Sequence, residues 1–180
     1  MDNTIESACE TGNWILYDTP NYGSNDTEFS YRFTEVSWCG NIATSFRNMA
    51  SSLRYAGSPN GLNDNYYNLY EGTHFRGREF RGNTNASDVG DLDMAVSSLV
   101  VTGQSSWTFY TGLHYTGANV CVYAFIHFTH DGIDLDTAYY INMDDLGLPD
   151  NSIRSVARGC LSERVLGHPG AERGGRNASN

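Results

Sequence analysis

An aromatic–glycine phrase of eight residues occurs twice in this chain, with the second copy forty residues after the first. The copies run from Tyr70 to Gly77 and from Tyr110 to Gly117, and each has a further aromatic residue three positions before its opening tyrosine. A weaker third copy begins at Tyr17. A phrase that recurs at a regular spacing indicates a small structural unit that the chain uses several times.

The segments around these phrases are typical of short strands joined by turns. Apolar and polar residues alternate over four to ten positions, and Gly, Asn, Asp and Ser separate the runs. The 12 tyrosines favour strands, and the 19 glycines supply the tight turns between them. Helical patterns are short: the longest covers residues 39–49, and residues 88–95 and 144–151 each suit a single helical turn. The sequence therefore predicts an all-β fold.

Three units and a tail can be separated along the chain. The tail after Cys160 is polar and rich in Gly and Arg, so we expect it to be disordered. Unit three is longer than the others because it carries an insertion at about residues 127–145. The predicted boundaries are residues 13–57 for unit one, 66–103 for unit two, 106–159 for unit three and 160–180 for the tail.

A second phrase closes each unit. It begins at Asn48 in unit one (NMASS), at Asp93 in unit two (DMAVSS) and at Asp150 in unit three (DNSIRS). An aromatic–glycine hairpin followed by such a serine phrase resembles the βγ-crystallin family. The resemblance implies a Greek-key β-sandwich in which two motif units form one domain, here residues 66–159. Residues 13–57 would be a single degenerate motif, because Gly23 comes one place early for a regular hairpin.

The hairpin has a physical logic of its own. Gly77 and Gly117 lack a Cβ, which lets the chain fold back with a positive φ. The last serine of each closing phrase, Ser98 or Ser155, can then satisfy backbone groups that the distorted hairpin leaves unpaired. His74 and His114 occupy the same place in two copies, which favours a role in hairpin packing over catalysis.

The resemblance also implies calcium sites between paired units. Calcium prefers six to eight oxygen ligands, which the hairpin carbonyls and the polar serine phrases supply. We expect one working site, with a Kd of about 10⁻⁶ to 10⁻³ M. Arg154 stands where a hydroxyl ligand belongs and should disable the other site. The candidate metal-binding residues are Glu71, Asp93, Ala95, Ser97, Asp150, Asn151 and Ser152.

Charge and composition exclude several function classes. The net charge is −10 and every basic residue is Arg, so we expect neither nucleic-acid nor anionic-membrane binding. The chain has no lysine, which excludes Schiff-base chemistry. Ser106, His114 and Asp131 could be combined into a catalytic triad, but no GxSxG motif supports this. We therefore expect that the protein is not an enzyme. His127 and His130 lie among acidic residues, which favours a solvated acidic loop over a transition-metal site.

Compartment and partners are less constrained by the sequence. No signal peptide is visible, although secretion is compatible with the sequence, and the four cysteines allow three disulfide connectivities. An odd unit count leaves two arrangements for unit one: packing on the paired domain, or a homodimer through unit one. Besides a structural, calcium-binding protein, the alternatives are a secreted inhibitor or toxin on the same scaffold, and a lectin-like binder that uses the insertion.

Overall fold

The computed structural model describes residues 4–23 and 30–167, and these residues form β-strands and short 3₁₀ turns. The predicted all-β fold is confirmed. The predicted short helix over residues 39–49 is wrong: residues 39–41 end a strand, and residues 44–49 form turns. The strands are β1 (Ser7–Tyr17), β2 (Ser30–Asn41), β3 (Ser52–Ala56), β4 (Tyr66–Tyr70), β5 (Glu79–Gly82), β6 (Ser98–Thr102), β7 (Trp107–Tyr110), β8 (Asn119–Val122), β9 (Ile126–His130), β10 (Ile133–Tyr140), β11 (Ser155–Arg158) and β12 (Val165–Leu166).

Units two and three form one sandwich by exchanging strands. Its sheets have the orders β5-β4-β6-β10-β9 and β11-β7-β8-β12. Strand β10 belongs to unit three in sequence but pairs with β6 of unit two. In return, Ala86 of unit two bridges Val156 of unit three. The exchange gives the Greek-key β-sandwich that the sequence predicts, since neither unit completes its own sheet.

The main core lies between these two sheets. Alternation along the strands places Leu69, Leu99, Trp107, Phe109 and Val120 inward, and all five are 0 % exposed. Burying a large apolar side chain contributes about 1.5–3 kcal/mol. The core therefore supplies much of the stability of residues 66–159.

Unit one packs on the outer face of the five-stranded sheet. Its own sheet has the order β2-β1-β3, and Ile15 and Tyr17 of β1 share a buried cluster with Tyr70, Phe75 and Val100 of unit two. Of the two arrangements that the odd unit count allowed, the structure thus shows packing within the chain. Association of two chains through unit one stays a prediction.

Two disulfides join segments that are distant in sequence. Cys9 bonds to Cys39 across the paired strands β1 and β2, and Cys121 bonds to Cys160. The second disulfide is followed by β12, which pairs in parallel with β8. Residues 160–167 are therefore ordered, contrary to the predicted start of the tail, and residues 168–180 lie outside the described residues. Among the described residues, no helix is long and apolar enough to span a membrane.

Glu10 of β1 makes the stability of unit one depend on pH. Both of its carboxylate oxygens are buried and have no hydrogen-bond partner. Burial, followed by repulsion from Glu35, raises the pKa of Glu10 from 4.5 to about 7, although Arg32 opposes the rise. A raised carboxyl pKa means that the protonated form is favoured by folding. This contribution is complete below pH 4.5 and is lost as the pH rises to about 7.

The substitution Glu10→Gln should remove this pH dependence, because the amide has the same shape and no charge. We expect the variant to melt at a higher temperature than the wild type at pH 8 and at a similar temperature near pH 4. Thermal melts across this range check it, with Glu163→Gln, an exposed carboxylate, as the matched control. Parallel melting profiles for wild type and Glu10→Gln would contradict the assignment.

Candidate metal centre at the hairpins and serine loops

Each unit contains a hairpin whose turn holds two successive residues other than glycine at positive φ. Such a backbone costs free energy and needs support from its surroundings. The pairs are His74 (φ 56°) and Phe75 (65°), His114 (53°) and Tyr115 (63°), and Asn21 (58°) and Tyr22 (69°). Unit one therefore forms the same turn, although its early glycine argued against a regular hairpin. Tyr22 stands five residues after Tyr17, as Phe75 stands after Tyr70, so unit one keeps the aromatic spacing although its glycine is shifted.

The closing serine of each unit holds this turn through two hydrogen bonds. The Ser98 hydroxyl accepts from the Phe75 amide at 2.9 Å and donates to the Gly72 carbonyl at 2.6 Å. Ser155 does the same with Tyr115 and Gly112 at 3.0 and 2.7 Å. The role predicted for both serines is confirmed. In unit one, Ser52 binds Tyr22 and Thr19 at 3.1 and 2.6 Å.

The serine phrases form loops with a shared backbone shape. The residues four positions before the closing serines, Asn48, Met94 and Asn151, have φ values of 59°, 58° and 58°. Asparagine tolerates this left-handed conformation better than most residues do, whereas methionine has no side-chain oxygen to offer a metal. The loop at Asn151 therefore keeps a polar side chain where the loop at Met94 does not.

Site one, the predicted working site, brings residues of both units together. The Ser97 hydroxyl donates to Asn151 Oδ1 at 3.2 Å, and Asn151 Nδ2 donates to Asp150 Oδ2 at 3.2 Å. The Ser97 amide donates to the Tyr70 carbonyl at 2.9 Å, which places Ser97 beside the hairpin residue Glu71. A hydroxyl, an amide oxygen and a carboxylate thus meet at one end of the sandwich.

Further oxygens near site one lack hydrogen-bond donors. Among the described residues, the carbonyls of Glu71 and Ser152 accept no hydrogen bond, and the Ser152 hydroxyl is buried without a partner. The carboxylate of Glu71 pairs instead with Arg78 at 2.7 Å, and this contact lowers its pKa. These neutral oxygens, together with Asp150, match the hard-oxygen chemistry of calcium. The residues present therefore fit a calcium ion at site one.

Site two, formed by the other pair of loops, does not fit a cation. Arg154 Nε and Nη2 donate to the two carboxylate oxygens of Asp93, each at 2.7 Å. The arginine keeps the pKa of Asp93 below its ordinary value. Asp93 is thus already neutralised by the guanidinium, and Ala95 beside it donates its amide to the Leu92 carbonyl. A divalent ion here would meet the positive charge of Arg154 at close range.

The insertion of unit three is a strand hairpin, β9–β10. His127 and Asp136 lie opposite each other across it, and His127 Nδ1 is 2.8 Å from an Asp136 carboxylate oxygen. Asn63 of the linker donates to the other oxygen of Asp136 at 2.9 Å. Within the part of the chain that the structure describes, no three His, Cys, Asp or Glu side chains are grouped to hold a metal.

Comparisons with known proteins agree with this fold. The family model described as "Peptidase inhibitor family I36" matches residues 63–122. Geodin, a βγ-crystallin from Geodia cydonium, is 21% identical with a TM-score of 0.59, and the match covers 88% of this chain and 87% of geodin. A βγ-crystallin from an archaeon is 27% identical, with 53% of this chain and 99% of that chain covered and a TM-score of 0.42. No curated protein matches.

The geodin match spans most of this chain, unit one included, and at its level of identity it is evidence of fold. The resemblance read from the repeated phrases is therefore confirmed: this chain has the fold of the βγ-crystallins.

Proposed function

We propose that this chain is a non-enzymatic βγ-crystallin-type protein that binds one calcium ion at site one. The observation that carries the proposal is the convergence of Ser97, Asp150 and Asn151, next to carbonyls without hydrogen-bond donors at Glu71 and Ser152. A calcium ion bound there would join the loops of units two and three, because its positive charge would attract oxygen atoms from both. At site two the Arg154–Asp93 pair makes the same link without a metal.

The proteins that this chain resembles are a crystallin-fold protein and a peptidase inhibitor family, which supports a non-enzymatic role. Among the described residues, no hydrogen bond joins Ser106, His114 and Asp131. Ser106 is 7 % exposed, and its carbonyl accepts the Gly159 amide, as a packing residue would. His114 lies in the folded turn of unit three.

The test is calcium titration by calorimetry together with thermal melts in calcium and in chelator. Calcium that binds only the folded state should raise the melting temperature. We expect one site per chain, and we expect Ser97→Ala to weaken it by at least about tenfold, a loss typical of perturbing a metal site. Asp93→Asn is the matched control, because Asp93 is committed to Arg154 at site two. No heat and no stabilisation up to millimolar calcium would refute the proposal.

The match to the inhibitor family favours a second candidate, a secreted peptidase inhibitor. The two disulfides suit it, since such bonds persist in oxidising compartments. This function predicts that the protein, freed of calcium by chelator and then dialysed, still inhibits a peptidase. An assay of the purified protein against metallo-, serine and cysteine peptidases separates the candidates. Inhibition without calcium binding would favour the inhibitor.

A further inference from the structure

Unit one covers one of the two hairpins of the paired domain and leaves the other exposed. In the hairpin of unit two, Phe75 and Arg76 are each 3 % exposed. In the hairpin of unit three, the equivalent Tyr115 is 38 % exposed and Thr116 is also exposed. The two hairpins share a sequence pattern and a turn conformation, so the difference in burial comes from the presence of unit one.

Unit one holds the backbone of the covered hairpin through hydrogen bonds as well as apolar contact. The Tyr17 hydroxyl donates to the Phe75 carbonyl at 2.5 Å, and Arg54 Nη2 donates to the Gly77 carbonyl at 2.8 Å. The Gly77 amide in turn donates to the Gly23 carbonyl at 2.9 Å. Unit one thus both donates hydrogen bonds to this hairpin, from Tyr17 and Arg54, and accepts one from it, at Gly23.

Arg54 is buried where it makes this contact. It is 8 % exposed, and its guanidinium lies 3.9 Å from the centre of the Tyr22 ring and 5.3 Å from that of Tyr70. Cation–π contacts of a desolvated guanidinium are stronger than those at the surface. Because the guanidinium lies close to two rings and away from solvent, it is kept near the Gly77 carbonyl and donates to it.

The position of Gly77 is coupled to that of Glu71, whose carbonyl is a predicted ligand of site one. The two strands of the hairpin lie so close that a Cβ on Gly77 would be 3.2 Å from Cβ of Glu71. The Glu71 amide also donates to the Arg78 carbonyl at 3.0 Å. A shift of Gly77 would therefore move Glu71.

We infer that unit one is a clamp on the hairpin of unit two and that this clamp raises the calcium affinity of site one. The inference deepens the proposed function and rests on it for the affinity. A site that is competent only part of the time has its apparent affinity reduced by that fraction, and the clamp keeps the Glu71 carbonyl in place. Arg54 is a positioning residue in this scheme, because it acts on the ion through Gly77 and Glu71.

The experiment combines calcium titration with amide exchange measured by NMR on the full chain. Arg54→Met keeps an unbranched apolar side chain and removes the guanidinium. We expect it to weaken calcium binding by about tenfold, within the usual range of coupling between sites. We also expect faster exchange of the Gly77 amide. Arg81→Met, an exposed arginine on β5, is the matched control and should change neither value. The Gly117 amide of the uncovered hairpin should exchange at the same rate in all proteins.

Tyr17→Phe provides the same test with a smaller perturbation, should Arg54→Met not fold. It removes the hydroxyl that binds Phe75 and should loosen the same amide. Faster Gly77 exchange with unchanged calcium affinity would overturn the coupling, and unchanged exchange would overturn the clamp. A wild-type protein that binds no calcium would refute the proposed function and the affinity effect. Faster exchange in Arg54→Met would still support the clamp in that case.

Discussion

Substitution of Trp107 by alanine is expected to destabilise the paired domain by about 3–5 kcal/mol, the usual cost of emptying a large buried aromatic site. Trp107 is 0 % exposed, and its ring centre lies 4.8 Å from that of Tyr67 at an interplanar angle of 73°. Its strand, β7, is internal to the four-stranded sheet. Loss of the indole would leave a cavity between the two sheets at a place where both are held by neighbouring strands and cannot collapse readily.

Urea unfolding followed by far-UV circular dichroism measures this effect without relying on tryptophan emission. Trp107→Phe should cost much less, because it fills most of the cavity and removes an indole N–H that has no partner among the described residues. Trp38→Ala is the control, since Trp38 is a half-buried tryptophan of unit one outside this core. A loss for Trp107→Ala no greater than that for Trp38→Ala would show that Trp107 does not anchor the domain.

The fold was predictable because each unit contains the same short sequence patterns for its turn and for the serine that supports it. The repeated phrase fixes a turn at His74 and again at His114, and the last serine of the closing phrase supports each turn. Short-range patterns of this kind need no knowledge of the rest of the chain. The same local pattern is present at Tyr22, where the early Gly23 argued against a regular hairpin.

Long-range pairing was not predictable in the same way. Nothing in the residues of β10 indicates that it joins β6 of the other unit, or that β12 pairs with β8 beyond the last predicted unit. The docking of unit one likewise depends on shape and on a buried Arg54, whose type suggests an exposed side chain. These features arise from the packing of faces, which a linear pattern of apolar residues does not specify.

The candidate site lies between these limits. Sequence placed Ser97, Asn151 and Asp150 in loops of matching shape, and the structure brings them within hydrogen-bonding distance. It also indicated that Arg154 would spoil site two. The bidentate pairing with Asp93 could not be foreseen, since the two residues are 61 positions apart and meet only when the units pair. Calcium binding itself stays a prediction.

The closing serines Ser98 and Ser155 offer the second large effect, because both are 0 % exposed and each makes two hydrogen bonds. Ser98→Ala would leave the Phe75 amide and the Gly72 carbonyl without their partner. An unsatisfied buried polar group costs about 1–3 kcal/mol, so we expect a loss of about 2–4 kcal/mol for this variant. The strained turn would also lose the support that keeps Phe75 at positive φ.

Ser155→Ala removes the same two bonds from the hairpin of unit three, but it should cost only about 1–2 kcal/mol. Tyr115 is 38 % exposed, so water can hydrogen-bond to the Tyr115 amide and the Gly112 carbonyl once the serine is removed. Phe75 is only 3 % exposed because unit one covers it. Urea unfolding of both variants, with the exposed Ser37→Ala as control, measures the difference. Because the serines have the same bonds and burial, a larger loss for Ser98→Ala reports the burial of its hairpin by unit one. Equal losses would show that water reaches both hairpins alike and that unit one does not seal the first.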